Sequence, residues 1–169
     1  MTASLYDFTV PAFTLALTNL SKQLDKAHAH AGQKKVDFSV LAESRLIADM
    51  RPLTSQVQIA CDNAKGCVAR LSGVEAPRHE DTEKTYEELK ARIAKTLDFI
   101  GSVKPEQFAG AETREVVLKF PNVTLKFNGK DYVTKFALPN FYFHTATAYA
   151  VMRKNGVELG KADYLGNIQ

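Results

Sequence analysis

Between Leu46 and Leu71 the apolar residues return every 3.5–3.6 positions: Leu46, Met50, Leu53, Val57, Cys61 (or Ala60), Ala64, Val68 (or Cys67) and Leu71. Only a helix places residues at that period on one buried stripe, whereas a strand would turn them to alternate faces. Gly73 closes the run. Pro52 falls near its start, so the helix either begins close to Met50 or kinks there. Small residues at Ala60, Cys61, Ala64, Gly66 and Cys67 allow another helix to approach closely. A chain with this segment needs partner helices to cover the stripe.

Partners follow from the same reasoning. Val10, Phe13, Leu17, Leu20, Leu24, Ala27 and Ala31 step by threes and fours, with Thr9 as N-cap, Pro11 in the first turn and Gly32 as the stop. After a polar connection at 74–83 that carries Pro77, Tyr86, Leu89, Ile93, Leu97 (or Thr96) and Ile100 form a third stripe ending at Gly101. Asp81 or Thr82 serves as its N-cap, and several early acids suit the helix dipole. Residues 114–120 and 130–136 are rich in β-branched and aromatic side chains about Asn128-Gly129, which predicts a two-stranded hairpin. Pro139 sets up a fourth helix from about Asn140 to the Asn155-Gly156 stop, and the tail beyond is irregular. The predicted architecture is all-α: one domain, residues 1–169, built as a four-helix bundle with a small β-hairpin between helices three and four.

The 169 residues are 45% hydrophobic and 24% charged, suited to one domain that buries about 70% of its unfolded surface. No apolar run spans a bilayer and "MTASLYDFTVPAF" lacks the pattern of a signal peptide, so the protein is expected in the cytoplasm. The net charge of +3 is spread in alternating signs, which argues against nucleic-acid binding. Cys61 and Cys67 are about 9 Å apart along a helix, too far for a disulfide, and read as buried, inert thiols.

Chemistry centres on "NFYFHTATAYAVMRKNG", residues 140–156. Phe141, His144, Ala148, Val151 and Asn155 share one helical face, so His144 points inward and needs a partner. Helix two supplies Gln56, Gln58, Asp62 and Lys65, the last three on one face. His144 with Asp62 or Gln58 would make a small polar constellation in a bundle pocket, the Asp–His pair an oriented general base; His144 with a glutamine or a backbone carbonyl would be a satisfied core histidine. Tyr149 and Arg153 flank the histidine helix as a phenol donor and an anion anchor. A metal site needs three or four ligands on facing helices, and Ala148 stands where an H-x-x-x-H pair would place its second histidine. His28 and His30 point to different faces, and His79 lies in the connection. No nucleophile elbow, P-loop or dinucleotide fingerprint is present.

"SLYDFTVPAF", "DMRPLTSQVQIACDNAKG", "ARLSGVEAP" and "PNFYFHTATAYAVMRKNGVELGKADYLG" together resemble an uncharacterised bacterial domain-of-unknown-function family related to the DinB/YfiT-like bundles. The resemblance spans essentially the whole chain. It implies a bundle of a metalloenzyme superfamily, with parallel middle helices joined by a long crossover. Metal-bearing relatives use one helix-two histidine plus an H-x-x-x-H pair on helix four, and some are thiol-dependent transferases or isomerases. Here His144 matches one ligand, Ala148 replaces another, and helix two offers Gln56 and Gln58 instead of histidine. The leading expectation is a small-molecule-binding or interaction protein with a degenerate metal site at His144 and no cofactor. The alternatives are a metal- or thiol-dependent transferase or isomerase using His144, and a structural homodimer. A homodimer pairing through an apolar helix face or the hairpin edge is the expected assembly.

Overall fold

The structure, a computed structural model, describes residues 3–167. Its first helix starts before the expected cap at Thr9. Asp7 Oδ2 accepts from the Ser4 backbone N–H at 2.7 Å, which anchors the start of α1, Leu5–Lys34. The Thr9 hydroxyl instead donates back to Leu5 O at 2.6 Å inside the helix. The helix also passes through Gly32 and ends on Lys35 in the left-handed region, φ 55°, whose N–H reaches the Ala31 and Gly32 carbonyls.

A short helix α2, Phe38–Ala42, follows, capped by Asp37, whose Oδ1 accepts from Ser39 N at 2.8 Å. Pro52 then resolves the question about the second helix, because it is the N-cap of α3, Leu53–Ser72. The chain starts fresh after the proline and does not kink there. Leu46 and Met50 continue the helical period in sequence but lie in the preceding loop, with Leu46 39% exposed. Gly73 at φ 78° ends α3, a conformation that favours glycine.

The third long helix, α4, is Tyr86–Ser102 and begins later than Asp81 or Thr82. Thr85 Oγ1 accepts from Glu88 N at 3.2 Å while Glu88 Oε2 accepts from Thr85 N at 3.0 Å, a reciprocal cap that neither earlier residue can form.

The strand β1, Glu115–Phe120, lies where expected, but its partner does not. β2 is Val123–Asn128, antiparallel to β1, with Phe120 opposite Val123 across the two-residue turn Pro121-Asn122. Asn128-Gly129 is not the turn. Asn128 Oδ1 accepts from Asp131 N at 2.8 Å and caps α5, Gly129–Tyr132. A Cβ at Gly129 would strike the Ala111 carbonyl, so glycine lets this helix start pack on backbone. Residues 130–136 are helical because Tyr132, Val133 and Ala137, all at most 1% exposed, fall at helical spacing on one buried stripe. One wide π turn, Val133–Ala137, joins α5 to α6, Leu138–Lys154, just ahead of Pro139, where a regular turn would meet the proline ring. A last helix, α7, Lys161–Leu165, sits in the tail expected to be irregular.

Cross-helix contacts fix the directions. Asp25 and His28 of α1 meet Lys90 and Tyr86 of α4, so those two run antiparallel. Gln58 and Asp62 of α3 meet Glu83, just before α4, and Arg92 on it, so α3 and α4 run parallel. The connection at 73–85 therefore crosses the length of the bundle. Gln56 meets His144, and Asn155, the C-cap of α6, meets Ser44, whose carbonyl accepts from Leu53 N at the start of α3, so α3 and α6 are antiparallel. The core between the four long helices holds Phe13 edge-on to Phe141 at 4.7 Å, with Leu17, Leu24, Val57, Ile100 and Val151 fully buried. Each such side chain contributes roughly 1.5–3 kcal/mol by leaving water. Among the described residues no helix is long and apolar enough to cross a membrane.

Candidate functional site

His144 sits mid-way along α6 and Gln56 one turn into α3, and antiparallel packing brings them level. Gln56 is buried and His144 half-buried, with His144 Nδ1 2.7 Å from Gln56 Oε1. The other end of the carboxamide decides the proton positions. Gln56 Nε2 donates to the Arg51 carbonyl at 2.9 Å, and a carbonyl can only accept. The amide oxygen must then face His144, and Nδ1 must carry the proton. Nε2 is left with a free lone pair, and it has no protein partner among the described residues. Burial lowers the imidazole below its ordinary value, and the Arg51 cation lowers it further, so His144 is neutral at pH 7. The site thus presents one neutral, oriented acceptor nitrogen.

Asp62 is not part of it. Its carboxylate turns toward α4, where Oδ2 lies 2.9 Å from Arg92 Nη2 and Oδ1 2.8 Å from Lys65 Nζ. Gln58 points the same way and donates to Glu83 Oε2 at 2.9 Å. Tyr149 and Arg153 hold the following segment, donating to the Leu159 and Val157 carbonyls at 3.4 and 3.0 Å. His28 stacks on Tyr86 at 4.2 Å and His30 lies against Gly156, and neither contacts His144. Of the candidates named from sequence, the structure brings Gln56 to His144 and pairs Lys65 with Asp62 away from it.

Sequence reasoning missed the centre of the second polar cluster. Arg92, with its side chain 1% exposed, binds Glu83 Oε1 through Nη1 and faces Asp62 and Asp81 through Nη2, each at 2.9 Å. Asp81 adopts φ 43° to reach it. His79 Nδ1 lies 3.8 Å from Asp62, and burial, then Lys65 and Arg92, push that imidazole down. A signal did exist: Arg92 adjoins Ile93 on the buried stripe of α4, where a charge must be paired. The knot pins the crossover to α3 and α4.

The family described as a domain of unknown function, DUF1993, matches residues 5–165. The chain belongs to the DUF1993 family. This DUF1993 chain is also similar to a DinB family member protein from Shewanella denitrificans, known from a crystal structure. The two are 47% identical and superpose with a TM-score of 0.89, over 97% of this chain and 93% of that one. No curated protein matches the chain significantly.

The DinB-like fold raises the question of a resident metal, and the donor set answers it. Among the described residues no group of three or more His, Cys, Asp or Glu side chains could hold an ion. His144 has an amide beside it, and Ala148, fully buried one turn on, has no donor atom. Cys61 and Cys67 are free and buried, and burial pushes the Cys61 thiol up to about 12. The residues of this DUF1993 chain do not fit a three-histidine metal centre.

Proposed function

We propose that this DUF1993 protein binds a small molecule at the His144–Gln56 end of the α3–α6 interface. His144 there acts as a fixed hydrogen-bond acceptor in the place where metal-bearing relatives carry a ligand. One observation supports this reading above all: Gln56 bridges the Arg51 carbonyl and His144 Nδ1, which leaves the Nε2 lone pair without a protein partner among the described residues. A glutamine would also satisfy a histidine in a closed core, but here the ring is half-exposed and its Nε2 has no protein partner among the described residues. A neutral, half-exposed acceptor recognises a hydroxyl, amine or amide N–H on the ligand.

The test is a long-range proton–nitrogen NMR experiment on the histidine side chains during a titration with a fragment set of hydroxyl and amide donors. The reading expects the Nδ1–H tautomer in the free protein and a His144 Nε2 shift on binding. An Nε2–H tautomer, or a full fragment set that leaves Nε2 unmoved, overturns it. Elemental analysis of protein purified without chelator adds a second check. A near-stoichiometric metal that disappears in His144→Ala would make the residue a ligand and reject the acceptor role.

A further inference from the structure

A cleft of about 330 Å³ separates α3 from the hairpin and the π turn, and none of its lining belongs to the His144 pair. One wall is apolar: Ile59 from α3 faces Phe120 of the strand and Phe136 of the π turn, whose rings lie 6.3 Å apart. Phe120 remains 45% exposed at the mouth. The same face of α3 that carries Ile59 also carries Asn63 and Arg70 into the cleft.

Three features of that face point to a ligand. First, Gly66 makes room for the Arg70 guanidinium, because a Cβ at that position would strike Arg70 Nη1. The long side chain folds back over the preceding turn, and its charged end lies inside the cleft. Second, Arg70 has no carboxylate partner among the described residues, and its bond is to Tyr132 Oη at 3.3 Å. Third, Asn63 Oδ1 is buried and accepts no hydrogen bond. A buried, unmet acceptor carries a free-energy cost that a donor on a ligand would remove. Asp62 also lines the cleft, but Lys65 and Arg92 occupy its oxygens, and Arg70 and Lys119 in the lining outnumber it.

We infer that this cleft is a binding site for a flat organic carboxylate bearing a hydrogen-bond donor, with Arg70 holding the carboxylate, Asn63 Oδ1 accepting from the donor, and Phe120 and Phe136 covering the ring. The guanidinium over Gly66 and the Asn63 amide are one helical turn apart, so carboxylate and donor are separated by roughly 5–6 Å. That spacing matches groups placed para on a single aromatic ring. The site is independent of the His144 reading.

Isothermal titration of the full chain with 4-hydroxybenzoate, and with benzoate as the analogue lacking the donor, tests this directly. The wild type should bind 4-hydroxybenzoate more tightly than benzoate. Arg70→Met, at an exposed position that tolerates the change, should weaken both at least about tenfold, the expected loss of a charge-assisted hydrogen bond. Asn63→Leu should weaken 4-hydroxybenzoate alone and erase the preference. Gly66→Ala should weaken both while leaving Arg70 present, since the clash falls on the far end of a flexible side chain. His144→Ala should leave both affinities unchanged. No binding of either compound up to about 10 mM, or affinities that Arg70→Met does not move, overturns the assignment. Binding lost in His144→Ala and retained in Arg70→Met also overturns it, and places the ligand at the other site.

Discussion

Gln56 stands 2.7 Å from His144 Nδ1 and 2.9 Å from the Arg51 carbonyl, so one carboxamide on α3 sets the tautomer of an imidazole 88 residues away. Removing that amide removes the reason for the tautomer. Gln56→Leu should cost about 1–3 kcal/mol in chemical denaturation, the usual penalty for leaving a partly buried polar group unmet. Histidine NMR of the same variant should show His144 as a mixture of both neutral tautomers. A retained, pure Nδ1–H form would mean that something other than Gln56 holds the ring.

The Arg92 knot should be the most damaging single site outside the apolar core. Arg92→Met leaves Glu83, which is largely buried, without its cation, and a broken buried pair costs 3–5 kcal/mol. Asp62 and Asp81 still reach solvent, with side chains 40% and 60% exposed, so about 3 kcal/mol is expected. The crossover at 73–85 should then become the first site of limited proteolysis. Wild-type stability in this variant would show that the crossover is held by its apolar contacts alone.

Stability should fall as the solution is made mildly acidic. Burial, with Lys65 and Arg92 beside His79 and Arg51 beside His144, lowers both imidazoles, so the folded chain binds fewer protons than the unfolded chain. Their contribution is complete above the unfolded value near 6.5 and is lost as pH drops below it. Glu83 adds a second loss at lower pH. Burial pushes its carboxyl up, but hydrogen bonds from Gln58 and Arg92 more than reverse this and hold it below 4.5. Denaturation midpoints between pH 8 and pH 5 should decline, and His79→Gln with His144→Gln should flatten the decline. A pH-independent midpoint in the wild type would contradict the burial of both rings.

The two thiols should be silent. Cys61 and Cys67 are fully buried, and the Cys61 thiol is pushed up to about 12, so almost no thiolate exists at pH 8. Labelling with a disulfide reagent should proceed only as fast as the chain unfolds, and should accelerate with added denaturant. A rapid first phase in native buffer would reveal a local opening of α3.

Rebuilding the histidine set tests which positions correspond to the metal-bearing relatives. Gln56→His with Ala148→His would place three imidazoles around the His144 level of the α3–α6 interface. The double variant should bind zinc, while the metal-free form should lose about 1–3 kcal/mol from overpacking at the buried Ala148 site. Zinc binding by the wild type as tight as by the double variant would show that other donors suffice.

Residue order alone determined that helices dominate, which faces they bury, and that His144 looks inward, because a 3.6-residue apolar period has one geometric solution. It also held the Gly73 stop and the first strand, since both depend on neighbours in sequence. The segment 130–136 shows where local information ends. Tyr132, Val133 and Phe136 suit a strand by composition, and only the buried face they share with Phe141 makes them helix. The same holds for Leu46 and Met50, which keep the period of α3 but lose their helix to Pro52. The site divides in the same way. Periodicity narrowed the partners of His144 to residues on one helix, but Gln56 and Asp62 are six positions apart and face different neighbours. Which of them meets His144 depends on the parallel crossover that carries Arg92, Asp81 and Glu83 to Asp62. That choice belongs to tertiary packing, because a buried guanidinium must collect carboxylates from wherever the chain brings them, and no short-range pattern records that pairing.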